Sequence, residues 1–229
     1  MDINNFSVNN IWESVFNYSD YEKQCTYSAS DIVGDVLAVR LRRDNPTIRE
    51  MKYEDKISAF VGSSIHTQIE KYIESENAFS ETNMQSEVKL KYRNLSGTAD
   101  LIIDGKILDW KTGKESSISA TIKKPDKWIQ QISIYSYLLS KQLNKPMNTI
   151  GYIAWLCTDT QKHGVLELEL LSLAEVTKLI KEFMIDIDKP LEELPKCDLC
   201  IQFKHRYCQV KSICPFWKID NDFSNISEW

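Results

Sequence analysis

The sequence has little of what builds flexible spacers: 7 glycines and 6 prolines in 229 residues. That leaves little room for long linkers, and the length suits one domain with a sizeable core, or one domain plus an appendage. No run approaches the ~18 consecutive apolar residues of a membrane span. The start, MDINNFSVNN, has no basic-then-apolar signal pattern. The expectation is an intracellular, cytoplasmic protein with no membrane partner. Basic excess is also missing, since the formal net charge is −5. This argues against indiscriminate nucleic-acid coating and leaves a local basic channel open. Internal repeats are absent as well.

What is present centres on 97–113, GTADLIIDGKILDWKTG. Two short strands, 98–103 and 106–111, flank Asp104-Gly105, and Asp-Gly between apolar runs is a strong hairpin signal. A two-residue loop sets Ile103 opposite Lys106, Ile102 opposite Ile107 and Asp100 opposite Asp109. Facing Cβ atoms lie roughly 5 Å apart, and like charges there repel unless a cation lies between them. Lys111 shares the face of Asp109 by alternation. Two acids and a lysine on one face suit metal-assisted hydrolysis, although solvated charges at a hairpin tip are an ordinary alternative.

The rest of the chain supplies the surroundings. Ser30 is read as the cap of a helix over 31–43 that ends in Arg40, Arg42 and Arg43, which suit either a helix C-terminus or a phosphate. A second helix over 63–76 puts Ile65, Ile69, Tyr72 and Ile73 on one face, with His66 at its margin as an edge residue or a ligand. Residues 85–93 alternate as a half-buried strand, and Glu87 on its polar side is a further acid or a solvated one. After a loop at 114–124, Pro125 opens a helix to 143 whose apolar stripe contains Gln131, with Tyr135 one turn on. A glutamine there needs a partner or a polar cavity. Strands follow at 149–157 and 165–170, then a helix opened by the capping box Ser172…Glu175. The order α, α, βββ, α, β, β, α predicts an α/β fold with a mixed sheet flanked by helices.

Of 6 cysteines, four crowd into 197–214, CDLCIQFKHRYCQVKSIC. In a chain without a secretion signal, Cys197, Cys200, Cys208 and Cys214 point to metal before disulfides, with His205 as a substitute ligand. Four thiolates fit zinc or a [4Fe–4S] cluster. Basic and aromatic neighbours make the segment suitable for nucleic acid.

Taken in order, Gly62-x3-His66, Gly97-x2-Asp100, Asp109-Trp110-Lys111-Thr112-Gly113, Gln131-x3-Tyr135 and the cysteine group resemble the PD-(D/E)XK nuclease superfamily. Within it they resemble the RecB-like exonucleases, a group that includes the AddB nuclease domain and CRISPR-associated RecB-like exonucleases. The resemblance runs from about residue 28 to 214 and implies a restriction-endonuclease-like core with a C-terminal cysteine-rich metal-binding segment. The chain then divides into a helical part (1–60), a nuclease core (61–190) and the cysteine tail (191–229). By this resemblance His66, Asp100, Asp109 and the Trp110 carbonyl hold Mg²⁺ or Mn²⁺, Lys111 orients or deprotonates water, and Gln131 and Tyr135 support the site. Iron–sulfur members take one cysteine from near the N-terminus, but the matching position, around Asp35 and Val36, has none.

The implied activity is a metal-dependent deoxyribonuclease, an exonuclease acting on single- or double-stranded DNA ends in repair, recombination or replication, with a helicase or other repair protein as partner. An endonuclease, or a non-catalytic DNA-binding scaffold with the same fold, is the alternative.

Overall fold

A computed structural model describes residues 27–46, 53–77, 83–195, 208 and 210–215, with side chains described for 60–75 of the second range. The elements are β1 (Tyr27–Ser28), α1 (Ala29–Ile32), α2 (Val36–Asp44), α3 (Tyr53–Asn77), β2 (Met84–Tyr92), β3 (Leu95–Ile103), β4 (Lys106–Gly113), α4 (Glu115–Lys123), α5 (Asp126–Leu143), β5 (Ile150–Cys157), β6 (His163–Glu169) and α6 (Leu173–Asp186). The sheet runs β1-β3-β4-β5-β6, with β2 also paired to β3. β1/β3 and β4/β5 are parallel and the other pairs antiparallel, so the sheet is mixed as expected. No helix among the described residues is long and apolar enough to cross a membrane.

The Asp104-Gly105 turn forms as read, with φ of 48° and 82°, the left-handed pair a type I′ turn requires. Ser172 and Glu175 form the expected capping box at α6. Three expectations need correction. The single helix over 31–43 is two helices, with Ser28 rather than Ser30 as the first cap and the break at Val33–Asp35, ahead of Val36. The helix over 63–76 starts earlier, at Tyr53. The loop at 114–124 is largely α4: its serine- and β-branched-rich sequence is a weak helix former, but Asp159 accepts from the Glu115 N–H at 2.9 Å and Ile118 packs on Gly113.

β3 organises the sheet. β2 takes one of its edges along the whole length, so β1 and β4 share the other. β1 pairs at Leu95 and Ser96, and β4 at Leu101, Ile102 and Ile103. Residues 97–100 therefore face a gap between two partners. α5 covers one face of the sheet, packing Ile132, Ile134 and Leu138 against Ile102, Ile107 and Ile153. α3 lies on the face presented by Trp110 and Thr112, where a Cβ on Gly62 would come within 3.0 Å of Thr112 Oγ1.

The arginines of α2 work inside the protein. Arg40 donates to the Ile187 carbonyl at 2.7 Å, just past α6, and pairs with Asp44. Arg43 donates to the Tyr27 hydroxyl, and Arg42 lies 3.7 Å from Asp31. The partners of this group within the protein are a carbonyl, a hydroxyl and carboxylates. Cys208 and Cys214 are buried in a second cluster with Leu37, Leu41, Leu194 and Val210, against which Val36 packs. Cys197, Cys200 and His205 lie outside the described residues.

Candidate active site

The gap beside β3 is where the chemistry-bearing residues meet. The β3/β4 ladder holds the expected register through Leu101↔Leu108, and Asp100 and Asp109 are the next positions. There the strands part, and the Asp100 side chain bridges the opening by accepting the Trp110 N–H at 2.7 Å. Asp109, 2% exposed, pairs with Lys111, whose Nζ lies 2.6 Å from Asp109 Oδ2. Lys111 also donates to Gln131 Oε1 at 3.1 Å, and Gln131 donates to the Tyr135 hydroxyl at 2.8 Å. The odd glutamine of the α5 stripe thus has its partners. Tyr135 packs so close to β3 that a Cβ on Gly97 would stand 2.5 Å from its Cε1. Only glycine lets the strand and the ring approach this way.

From the other side, α3 delivers His66, with Nδ1 3.7 Å from Asp100 Oδ2. The expected residues are therefore brought together: His66 and Asp100 on one side, Asp109, Lys111, Gln131 and Tyr135 on the other, and the Trp110 backbone between them.

Glu87 matters more than its place in an alternating strand suggests. It lies opposite Asp100, at the single position where the β2/β3 ladder skips a pair, between Ser86↔Leu101 and Val88↔Ala99. Its φ is 48°, which costs a non-glycine residue about 1 kcal/mol. Among the described residues, His66, Glu87 and Asp100 each offer a ligand atom, all within 4.8 Å of one another.

The electrostatics follow from crowding acids in a half-buried cleft. Burial, then the charge of Asp109, pushes Asp100 up to about 7, against the Trp110 N–H and Lys111. Burial, then Glu70 and Asp109, raises Glu87. Burial lowers His66, against the pull of Asp109 and with the help of Lys111. That favours the neutral imidazole, the form that ligates metal. Tyr135 is raised by burial and by Asp109, so its hydroxyl stays protonated.

These observations fit a divalent cation. Oxygen-rich clusters with one imidazole suit Mg²⁺ or Mn²⁺, and the buried Asp109 Oδ2 receives no well-aligned hydrogen bond, only the ion-pair approach of Lys111. A consequence can be measured without metal. An acid whose pKa is raised by folding binds protons more tightly folded than unfolded, so its contribution to stability falls as pH rises from about 3.8 to about 7. In EDTA, Asp100→Asn should therefore melt higher than the unmodified protein at pH 8 and close to it at pH 4, as read by thermal denaturation. Equal melting temperatures at pH 8 would remove the crowding argument.

Residues 13–215 match the profile of the PD-(D/E)XK nuclease superfamily. The chain belongs to that superfamily. Membership makes it a nuclease by family and agrees with the RecB-like order of its motifs. The crystal structure of SSO0001 is similar, with a TM-score of 0.60 at 18% identity over 95% of this chain and 98% of that one, which bears on the fold alone. An alkaline exonuclease from Laribacter hongkongensis gives a TM-score of 0.48 at 12% identity over 73% and 90%. A search of the curated proteins finds no match.

Proposed function

We infer that this nuclease is a divalent-metal-dependent deoxyribonuclease acting as an exonuclease on DNA ends. The observation that carries the reading is the gathering of Asp100, Asp109 and Lys111, with His66, at the point where β3 and β4 part. His66, Asp100, Asp109 and the Trp110 carbonyl would hold Mg²⁺ or Mn²⁺, with Glu87 adding a carboxylate. When bound, the cation neutralises the anionic phosphodiester transition state and lowers the pKa of water.

The chain's own residues do the rest. Lys111 Nζ, fixed between Asp109 and Gln131, is the cation that orients the attacking water and takes up its developing charge. Gln131 holds Lys111 on one side and Tyr135 on the other, so that the ammonium loses little freedom when the scissile phosphate arrives. Tyr135, kept protonated by its surroundings, supplies a neutral hydroxyl. The RecB-like order of the motifs is the basis for preferring an exonuclease. Linear DNA should be degraded while covalently closed circles of the same sequence stay intact. Equal rates on both would make it an endonuclease.

Cys197, Cys200, Cys208 and Cys214, with His205 as substitute, would hold zinc or a [4Fe–4S] cluster. Burial of Cys208 and Cys214 in one cluster supports this. An absorbance spectrum of anaerobically prepared protein separates the two metals. Repair, recombination or replication, beside a helicase or another partner, is the setting such an activity suits.

A further inference from the structure

β6 ends the sheet on the side away from β3, and two hydrogen bonds fix which of its backbone groups point inward. Cys157 donates its N–H to the Lys162 carbonyl at 2.7 Å, and Leu170 donates its N–H to the Thr149 carbonyl at 2.8 Å. Both continue the β5/β6 register, in which Leu156 pairs with His163 and Ile150 with Glu169. Backbone groups alternate in direction along an antiparallel strand, so the even-numbered residues of β6 turn toward β5. His163, Val165, Glu167 and Glu169 turn their N–H and C=O groups outward, where no strand among the described residues pairs with them.

The side chains of these four residues share one face of the sheet by alternation. All four are exposed, Val165 at 64%, while Leu166 and Leu168 on the opposite face pack into the core with α5. Val165 ends an apolar strip with Ile65, Ile69, Trp110, Ala154 and Leu156, which line a groove of about 270 Å³ between α3 and the sheet. Charges on an edge strand usually forbid pairing with another chain. Those of β6 are complementary to one another in one arrangement. When two β6 strands lie antiparallel about a two-fold axis at Val165, Val165 faces Val165, and His163 faces Glu167 on either side. Each of these pairs joins two outward-turned residues, so each can exchange both of its backbone hydrogen bonds. Sliding one strand by two residues sets Val165 against Glu167 or His163. Sliding it by four sets Glu167 against Glu167 or His163 against His163. The charges therefore select one register.

We propose that β6 pairs with β6 of a second copy of this chain, giving a two-fold dimer centred on Val165 and flanked by two His163–Glu167 pairs. Such an interface uses the same patch on both copies and draws its hydrogen bonds from the main chain, as in strand addition. Two six-stranded sheets become one. The β4 strands of the two copies then lie five strand spacings apart, roughly 24 Å. The pairing is independent of the nuclease reading, since Val165, His163 and Glu167 are not residues of the candidate site.

The test is sedimentation velocity of the full chain over about 1 to 300 µM, a range that brackets a weak interface. Amide hydrogen exchange of 163–169 is followed at both ends of that range. The unmodified protein should dimerise as concentration rises, with the 163, 165 and 167 amides exchanging fast in the monomer and slowly in the dimer. Val165→Lys sets two ammonium groups across each other at the axis and should leave only monomer. His163→Glu sets like charges across both outer pairs and should weaken dimerisation by about tenfold. His163→Glu/Glu167→Lys exchanges the signs and should restore it. That rescue also separates the pairing from loss of the 3.2 Å contact between His163 Nδ1 and the Gln161 carbonyl, which the double variant lacks as well. Lys178→Glu, on the exposed face of α6, is the control and should change nothing, and melting temperatures confirm that every variant folds. A monomer throughout the range would overturn the proposal. So would a dimer unaffected by Val165→Lys and His163→Glu, which would use another face. Slow exchange of the three amides in the monomer would overturn it too, because a segment of the same chain would then cover the edge.

Discussion

Asp109→Asn should reduce DNA hydrolysis in Mn²⁺ by at least about 10³-fold while the protein stays folded. The magnitude follows from two losses at one position. A charged ligand is removed from the cation that stabilises the transition state, an effect of the size seen for other pre-organised electrostatic groups. The carboxylate that lies 2.6 Å from Lys111 Nζ is removed as well, so among the described residues the ammonium keeps Gln131 as its partner. Lys111→Ala should cost about 10² to 10⁴ by taking away the group that works on water. Because the two act as one unit, the double variant should be little worse than the worse single one. Circular dichroism and melting temperature separate loss of chemistry from loss of fold. Activity within tenfold of the unmodified protein in both single variants would sink the assignment of Asp109 and Lys111.

Glu87→Gln should behave differently. Its carboxylate is grouped with the ligand atoms of His66 and Asp100 within 4.8 Å, so its loss should weaken Mn²⁺ affinity by about 10- to 100-fold, the range for groups that tune a metal site. Yet Glu87 contacts neither Lys111 nor Gln131 in the hydrogen-bond network, so turnover at saturating Mn²⁺ should largely recover. The pair of variants separates a residue that holds the ion from residues that use it. Free Mn²⁺ measured by electron paramagnetic resonance during titration gives the affinity directly. The control is Glu169→Gln on the exposed side of β6, which should leave it unchanged. Unaltered Mn²⁺ affinity in Glu87→Gln would mean that the crowding of acids around Asp100 has another purpose.

The contrast between these two residues shows what could be read from the chain. Asp100, Asp109 and Lys111 were legible because Asp104-Gly105 announces its turn, and a two-residue turn fixes the register of everything that follows. Glu87 is placed by the same logic from the turn Arg93-Asn94, where Tyr92 pairs with Leu95. Counting back from it sets Glu87 opposite Asp100. That turn carries no glycine, and Arg93 adopts φ 53° with an ordinary side chain, so local sequence gave no warning. Gln131 was conspicuous as a polar residue in an apolar stripe, and its partners are Lys111 and Tyr135. The helix α4 was hidden because much of its support is tertiary: Asp159 caps it from 44 residues away, and the serines and β-branched residues of KESSISATIKK are weak helix formers. The arginines of α2 were ambiguous for the same reason, since Arg40 finds its carbonyl 147 residues further along the chain.

The central claim is that the cluster at the parting of β3 and β4 hydrolyses DNA through a bound divalent cation. Its most direct test is cleavage of end-labelled linear DNA by protein stripped with EDTA, dialysed, and then supplied with Mn²⁺. The account predicts no release of label before Mn²⁺ is added and restored release afterwards, with Asp109→Asn silent in both conditions. Release by the stripped protein at the restored rate, or restored release by Asp109→Asn equal to that of the unmodified chain, would contradict it.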